Sequence, residues 1–363
     1  MKKIICIVND VWPNSDMMWG FDLFQKRGYQ VEVWKTGKLT IGTEIWEKAV
    51  LKAKTIRIDD WKSFYYKLLM QNMKNTKFLF FNKYNCFNLS KILIKLLGGR
   101  YYLINYSSIV CNNNLSALNV IKKKNISYMD IFPAKYNFLA SKICVGGLNS
   151  NYELKKKNRN IIIHTNNYDY YLLNERDRKQ VEDKDYILFL DQNLVDHKDL
   201  KNFKVKWINN KDKYFKELNL FLDQVEKYFK CKVLIAAHPT ADYSNKSYFA
   251  GRKIVQGDTC NYVKHSKGII LFSSSAIDYA ILYNKPIFFY YNDDLKRNYL
   301  YRDFQLPKRK YLKSNAINIS HIKENEVFED YMARMDNYIS YRRDFIANKE
   351  SKKLFFETVM EYL

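Results

Sequence analysis

The chain has 363 residues, of which 47% are hydrophobic, so it is long enough for two domains with cores of ordinary size. Lys and Arg number 61 against 38 Asp and Glu, and the resulting net charge of +23 favours anionic partners. No window has the length and hydropathy of a transmembrane helix, and the first residues lack the pattern of a signal peptide. We therefore expect a cytoplasmic protein. Nucleic acid is not an expected partner, because no motif of a nucleic-acid reader occurs.

The cysteines carry neither a disulfide nor a metal signal. They are scattered without a CxxC pair, and most lie in apolar runs where a thiol behaves as a small hydrophobe. The six positions are Cys6, Cys86, Cys111, Cys144, Cys231 and Cys260. We expect no disulfide framework, no metal site and no cofactor.

Three basic runs could meet an anionic membrane surface. They lie at 122–124, 155–159 and 308–310, and each basic residue near such a surface adds about 1 kcal/mol to binding. Singly, runs of this kind are usually solvated loops. Peripheral contact with the inner face of the membrane is therefore an expectation with a simpler alternative.

The amino-terminal half opens like a Rossmann domain. Residues 2–8 predict a buried strand, and a helix that ends near Gly28 precedes a second strand. The loop after the first strand lacks GxGxxG, so it indicates a pocket for a sugar or acceptor and not a dinucleotide site. Asp10 and Asp16 lie in this loop. They are our first choices for the general base, which must reach the acceptor hydroxyl.

A second acid/base hypothesis lies at the end of this half. The strand predicted at 160–165 presents His164, and Asp169 follows shortly after. The two side chains are either an acid/base pair or the polar edge of the last strand. Asp59 and Asp60, further upstream, are interpreted as charges at the amino terminus of a helix.

Charge and periodicity divide the chain. We expect a Rossmann-like domain at 1–171, a charged linker at 172–185 and a second domain at 186–335. The tail at 336–363 has helical character and is expected to pack back on the first domain.

The second half carries the main site prediction. Apolar runs end at His238 and Pro239, and again at Ser273, Ser274 and Ser275, as buried parallel strands do at their carboxyl ends. Hydroxyls and free amides at the start of the following helix would accept a phosphate, and His238 would donate to it from what we take to be the adjacent strand. The alternatives are an ordinary helix cap and an ordinary strand end.

These residues carry a resemblance. AAHP, followed some thirty residues later by LFSSSAIDYAILYNKPIFFY, resembles the nucleotide-binding half of bacterial GT-B glycosyltransferases of surface and capsular carbohydrate synthesis, sialyltransferase-like enzymes in particular. The likeness covers about residues 186–295. It implies an α/β protein of two Rossmann-like domains facing across a cleft, with the donor phosphate at the HP and Ser-Ser motifs. A weaker similarity extends to teichoic-acid glycerophosphotransferases.

The resemblance also implies a reaction. Gln192 would lie near the donor, and Asp278 would hold a ribose hydroxyl or cap its helix. The EX7E pattern of many nucleoside-diphosphate-sugar transferases is missing, which favours a CMP-activated acidic sugar of the sialic-acid or Kdo type. We therefore expect a metal-independent glycosyltransferase that uses a nucleotide-sugar donor and a glycan or lipid-linked glycan acceptor. The alternatives are a nucleoside-diphosphate-sugar transferase, a CDP-polyol phosphotransferase and a non-catalytic carbohydrate-binding or membrane-surface protein.

Overall fold

The structure is a computed structural model, and its compact parts are two α/β units. It describes residues 2–9, 11, 19–40, 51–81, 87–105, 139–148, 161–167, 169–170, 185–197, 206–244, 247–324, 326–347 and 353–363. The first unit contains the described residues before 109, those from 139 to 167, and those from 347 onwards. The second unit contains the described residues from 169 to 346.

The first unit is built on a parallel sheet of seven strands. The order across the sheet is β3-β2-β1-β4-β5-β6-β7. Strand bounds are β1 Lys2–Val8, β2 Tyr29–Lys35, β3 Lys54–Arg57, β4 Thr76–Phe80, β5 Arg100–Asn105, β6 Lys142–Gly146 and β7 Ile162–Thr165. The chain starts in the middle of the sheet and builds first one side and then the other, which is the Rossmann arrangement.

Helices cover this sheet, and each face has its own core. The described helices are α1 Phe21–Lys26, α2 Gly37–Thr40, α3 Trp61–Leu69 and α4 Asn88–Leu96. Neighbouring residues Ile4 and Ile5 point to opposite faces, as successive strand residues do, and join separate hydrophobic clusters. Asp60 caps α3, because its carboxylate accepts a 2.8 Å hydrogen bond from the amide of Ser63. The helix-terminal interpretation of Asp60 is thus confirmed.

The second unit repeats the architecture with six strands. The order is β10-β9-β8-β11-β12-β13, and every pairing is parallel. Strand bounds are β8 Tyr186–Leu190, β9 Lys232–Ala237, β10 Ile254–Gln256, β11 Gly268–Leu271, β12 Ile287–Tyr291 and β13 Ala316–Asn318. Two Rossmann-like parallel sheets confirm the predicted fold class.

Helices of the second unit differ greatly in length. The longest, α5, runs from Lys211 to Phe229 and buries Leu218, Leu222 and Val225 against the sheet. The shorter ones are α6 Thr259–His265, α7 Ile277–Leu282, α8 Asp293–Lys296, α9 Leu306–Leu312 and α10 Asn337–Tyr341. Single π-helical turns at Tyr301–Gln305 and Arg342–Ile346 precede α9 and follow α10.

The carboxyl-terminal segment returns to the first unit, later than position 336. Helix α10 stays with the second unit, because the hydroxyl of Tyr338 donates to the carbonyl of Lys285 and Arg342 donates to the carbonyl of Ile281. Helix α11, Phe355–Met360, packs Phe355 and Phe356 into the core of the first unit. Of the predicted linker at 172–185, only residue 185 lies within the described part of the chain. None of the described helices is both long and apolar enough to cross a bilayer.

Candidate functional site

The predicted site lies at the carboxyl ends of three strands of the second unit. Strand β8 pairs with β9 on one side and with β11 on the other. His238 and the serines therefore follow strands that are separated by β8, and our expectation that these strands are adjacent was wrong. The order reverses between β8 and β11, and open α/β sheets bind ligands at such a switch point. Residues 191–193, at the end of β8, thus lie between the two motifs.

The serine turn connects β11 to α7 and is held from both sides. The side-chain oxygen of Gln192 accepts a 2.6 Å hydrogen bond from the amide of Ser273. The hydroxyl of Ser274 accepts one of 3.2 Å from the amide of Ala276. The hydroxyl of Ser273 is shielded from solvent and has no hydrogen-bond partner among the described residues, whereas Ser275 is exposed. Gln192 thus organises the turn directly, and Ser273 keeps one unused hydroxyl.

A buried lysine lies behind the turn. Lys308 is 6% exposed, and its ammonium donates to the carbonyl of Ser273 at 2.8 Å and to that of Ser274 at 3.4 Å. In a trans peptide the carbonyl and the following amide point in opposite directions. The amides of Ser274 and Ser275 therefore point away from Lys308. The turn offers two neighbouring N–H donors on one side and carries a positive charge on the other.

Lys308 was missed by the sequence analysis, which placed it in a surface run. Helix α9 buries Lys308 because it shares a face with the fully buried Leu312 and with Gln305, which ends the preceding π turn. Positions 305, 308 and 312 have helical spacing, and this spacing is the sequence signal for a buried lysine. Gln305 supports the same region, since its amide donates to the carbonyls of Phe272 and Tyr290.

His238 is a neutral hydrogen-bond donor. The ring Nδ1 accepts a 3.2 Å hydrogen bond from the amide of Thr240 and lies 2.9 Å from its hydroxyl. The proton of the neutral ring is therefore on Nε2. Burial and, to a smaller extent, the neighbouring His197 lower the pKa of His238 to about 4. At neutral pH, His238 can donate from Nε2 without carrying a charge.

A second histidine touches the first. The rings of His197 and His238 meet edge to face with centroids 4.9 Å apart, and His197 also contacts the ring of Trp207 at 5.4 Å. His197 lies in the segment after β8. The sequence analysis missed it because residues 192–197 give no periodic signal.

Gln256 fixes the loop after β9. Its side-chain amide donates to the carbonyls of His238, Pro239 and Ala241 at 3.0, 3.3 and 3.0 Å. Pro239 itself is exposed. The backbone that carries the His238 ring is thus held by side-chain contacts as well as by the proline.

Asp191 ties the ends of β8 and β9 together. Its carboxylate accepts hydrogen bonds from the hydroxyl of Tyr243 at 2.7 Å and from the amides of Asn193 and His238 at 2.9 and 3.4 Å. Burial raises the pKa of Asp191, and these hydrogen bonds oppose the rise. Asn193 adopts a left-handed conformation with φ of 50°. Asp191 and Tyr243 hold the loop in shape, and long-range pairing of this kind gives no local sequence pattern.

Asp278 faces the interior. It is 4% exposed, and the hydroxyl of Tyr341 on α10 donates to it. The contact joins α7 to α10 and does not cap Asp278's own helix, so the capping role stays a prediction. The ribose contact stays a prediction.

His164 and Asp169 belong to different units. Nδ1 of His164 donates a 2.9 Å hydrogen bond to the carbonyl of Gly147 in the first unit. Asp169 accepts a hydrogen bond from Tyr279 in the second unit, and burial raises its pKa to about 6. Each side chain is thus held within its own unit, and the proposed pair stays a prediction.

The remaining predicted residues add little geometry. Asp10 and Asp16 lie outside the described residues. Among the described residues, no group of three or more His, Cys, Asp and Glu side chains is placed to hold a metal ion. The arrangement at the second sheet is therefore one of hydrogen-bond donors and one buried ammonium, which suits an anion.

Sequence comparison finds no relative, whereas comparison of structures does. No family model and no curated protein sequence matches the chain. The wall teichoic acid polymerase TagF, as its H444N variant, has a TM-score of 0.55 at 14% identity, covering 99% of this chain and 89% of that chain. MnaA of S. aureus, solved with UDP, has a TM-score of 0.52 at 13% identity, covering 94% and 87%.

A third structure is similar over its full length. The UDP-GlcNAc 2-epimerase from Methanocaldococcus jannaschii has a TM-score of 0.53 at 12% identity and covers 100% of both chains. Identities this low show the fold and nothing finer. The chain therefore has two parallel α/β units of the GT-B kind, shared with a teichoic acid polymerase and with sugar-nucleotide epimerases.

Proposed function

We propose that the chain is a glycosyltransferase of surface-polysaccharide synthesis that takes its donor from a nucleotide. One observation carries the proposal: the buried ammonium of Lys308 binds the two carbonyls of the serine turn at the switch point, which leaves the amides of the same two peptides on the side away from it. His238 adds a neutral N–H donor at the end of β9, on the other side of β8. Oriented donors and a fixed cation favour a phosphate, and they favour it more as charge develops on the departing group.

The proposed reaction needs no metal ion. Amide dipoles, Lys308 and His238 would stabilise the leaving phosphate, a task that divalent metals perform in other transferases. The acceptor would be a glycan or a lipid-linked glycan, activated by a base from the first unit. This division of roles follows the resemblance in the sequence.

A cytidine nucleotide is the proposed leaving group. The sequence resemblance favours a CMP-linked acidic sugar, and one TagF structure was obtained after soaking with CDPG. The MnaA structure contains UDP, so uridine donors are the direct comparison. A CDP-polyol phosphotransferase would use the same site, with the polyol phosphate as the part transferred and CMP as the part released.

Nucleotide binding and turnover test the proposal separately. Thermal unfolding is followed with CMP, CDP, UDP and GDP, since a ligand that binds only the folded chain raises the melting temperature by mass action. Turnover of the corresponding sugar and polyol donors is followed by mass spectrometry, with and without EDTA. The expected result is stabilisation by CMP or CDP and donor cleavage that persists in EDTA. No stabilisation by any nucleotide would overturn the site, and loss of turnover in EDTA with rescue by Mg²⁺ would overturn metal independence.

A sugar-nucleotide epimerase is the second candidate. The full-length similarity to the Methanocaldococcus jannaschii enzyme favours it. An epimerase returns a product of unchanged mass and needs no acceptor, whereas a transferase releases the nucleotide. Chromatography of the reaction with UDP-GlcNAc therefore separates the two candidates, and an isomer without released nucleotide would replace our proposal.

A further inference from the structure

One long stretch of the chain, most of it in the first unit, has no acidic residue. Between Asp60 and Asp130 the sequence contains no Asp or Glu, whereas lysines and an arginine recur along it. The described parts of the stretch are α3, β4, α4 and β5. Its side chains therefore generate a positive field, and a local imbalance of this kind attracts anions.

Helices α3 and α4 lie on the same face of the first sheet. Phe64 of α3 and Ile94 of α4 belong to one hydrophobic cluster, and the rings of Phe64 and Phe87 are 5.4 Å apart. Each helix leads back to the next parallel strand, so both end at the amino edge of the sheet. There the loops after them touch, since the sulfur of Met73 lies 3.4 Å from the place that a Cβ on Gly99 would occupy.

The ends of these two helices expose large apolar side chains. Leu69, Met70, Leu96 and Leu97 form what we call the apolar tip, and they are 57%, 68%, 78% and 44% exposed. Helix α4 buries the polar side chains of Asn88 and Lys91, whereas some of its leucines are exposed to solvent. Single exposed leucines are ordinary, but a cluster marks an interaction surface.

Basic side chains accompany the apolar tip in the last turn of α4, after α3, and on β4 and β5. Lys77 pairs with Arg100 across β4 and β5, Lys95 is in the last turn of α4, and the exposed Lys74 follows α3. Burial lowers the pKa values of Lys77 and Lys95, and the like charge of Arg100 lowers both further. We call Lys74, Lys77, Lys95 and Arg100 the basic edge. Its charges repel one another, so an anionic partner would relieve the repulsion.

We propose that the apolar tip and the basic edge together dock the first unit on an anionic lipid bilayer. Apolar side chains flanked by lysine and arginine match the boundary between acyl chains and anionic headgroups, where buried apolar area and charge both add to binding. This surface replaces the run at 308–310 that the sequence suggested, because Lys308 is buried at the serine turn. The runs at 122–124 and 155–159 lie outside the described residues.

Vesicle co-sedimentation of the full chain tests the proposal. Vesicles of phosphatidylcholine alone are compared with vesicles containing about one third phosphatidylglycerol. We expect binding to the anionic vesicles only, weakening as salt is raised.

The basic-edge variant should partition about 100-fold less, because each basic residue near the surface contributes about fivefold. The partitioning of the apolar-tip variant onto anionic vesicles should fall by about tenfold or more. The substitutions are Lys74→Gln, Lys95→Gln and Arg100→Gln in the first variant, and Leu69→Ser, Met70→Ser and Leu96→Ser in the second.

Matched control variants carry the same kinds of substitution at exposed residues of the second unit. Leu220 and Ile339 are 51% and 62% exposed, and Lys216, Lys227 and Lys264 are also exposed. The corresponding serine and glutamine variants should bind anionic vesicles as the wild type does.

Unchanged binding by either first-unit variant would overturn the proposal. So would equal binding to neutral vesicles, or a lipid-free dimer that the apolar-tip variant disperses. Stabilisation by nucleotides is measured on the same proteins and should not change, so failure here and failure of the donor site are distinguishable.

Discussion

Two histidines, one near the end of β7 in the first unit and one just after β9 in the second, use the same ring nitrogen in opposite ways. Nδ1 of His164 faces the carbonyl of Gly147 and must donate to it. Nδ1 of His238 faces the amide of Thr240 and must accept from it. The neutral His164 ring therefore has its lone pair on Nε2, and the neutral His238 ring has its proton there.

The difference shows that backbone geometry around a histidine, and not its place at a strand end, decides what it can do. A ring with a lone pair on Nε2 can take a proton, as a general base does. A ring with a proton on Nε2 can donate to a phosphate oxygen. The two tautomers agree with the hypothesis of proton acceptance in the first unit and of anion binding in the second, and substitutions test that hypothesis.

The largest expected effect follows from His164→Asn. Asparagine can still donate to the carbonyl of Gly147, but it has no basic nitrogen. If His164 is the base, turnover falls by about 10²- to 10⁴-fold, while stabilisation by the nucleotide is unchanged. Steady-state kinetics and thermal unfolding measure the two effects. Near-normal turnover would return the role to Asp10 or Asp16, for which Asp→Asn variants provide the parallel test.

Lys308→Met should have the next largest effect. The change removes two charge-assisted hydrogen bonds and leaves the carbonyls of Ser273 and Ser274 without their buried donor, at a cost of about 1.5–3 kcal/mol each. We expect kcat/KM to fall about 100-fold and the melting temperature to fall by several degrees. Lys310→Met is the matched control, because Lys310 is exposed on the same helix. Equal effects of the two substitutions would show that Lys308 contributes only its charge to the whole surface.

The sequence predicts the sheets well because their information is local. Runs such as 186–190 and 232–237 are apolar and end abruptly, and both are buried parallel strands. Their order across the sheet is not local. Nothing in the spacing of His238 and Ser273 shows that β8 lies between them, and this insertion separates the two motifs and places Gln192 against the serine turn.

The site was predictable in outline and not in its supporting contacts. The serines and His238 are visible as polar residues after apolar runs. Lys308 contacts a turn 35 residues away along the chain, and Tyr243 contacts Asp191 across 52 residues. Such contacts depend on tertiary packing, which no single segment encodes.

Substitutions at His238 test the other half of the comparison. His238→Ala removes the Nε2 donor, so kcat/KM should fall about ten- to a hundredfold and stabilisation by CMP should shrink. His238→Gln retains a side-chain N–H and should lose less. Ser274→Ala removes the hydroxyl that accepts from the amide of Ala276, and it should weaken donor use to a similar extent. Full stabilisation by CMP in both alanine variants would place the nucleotide elsewhere.

The smallest expected effect is a change in the pH dependence of stability. The pKa of His238 is about 4 in the folded chain against an ordinary value of 6.5, so between these values the unfolded chain binds a proton that the folded chain does not. The free energy of unfolding therefore falls as the pH drops from about 6.5 towards 4. Burial raises the pKa values of Asp191 and Asp169, so these two groups make the free energy of unfolding rise as the pH drops. Both groups are present in the wild type and in His238→Gln, so they do not affect the difference between the two proteins. Chemical denaturation across this window should show the variant losing less stability than the wild type. Parallel curves would mean that His238 binds its proton equally in both states, so that its ring becomes a cation as the pH falls through its ordinary pKa of 6.5.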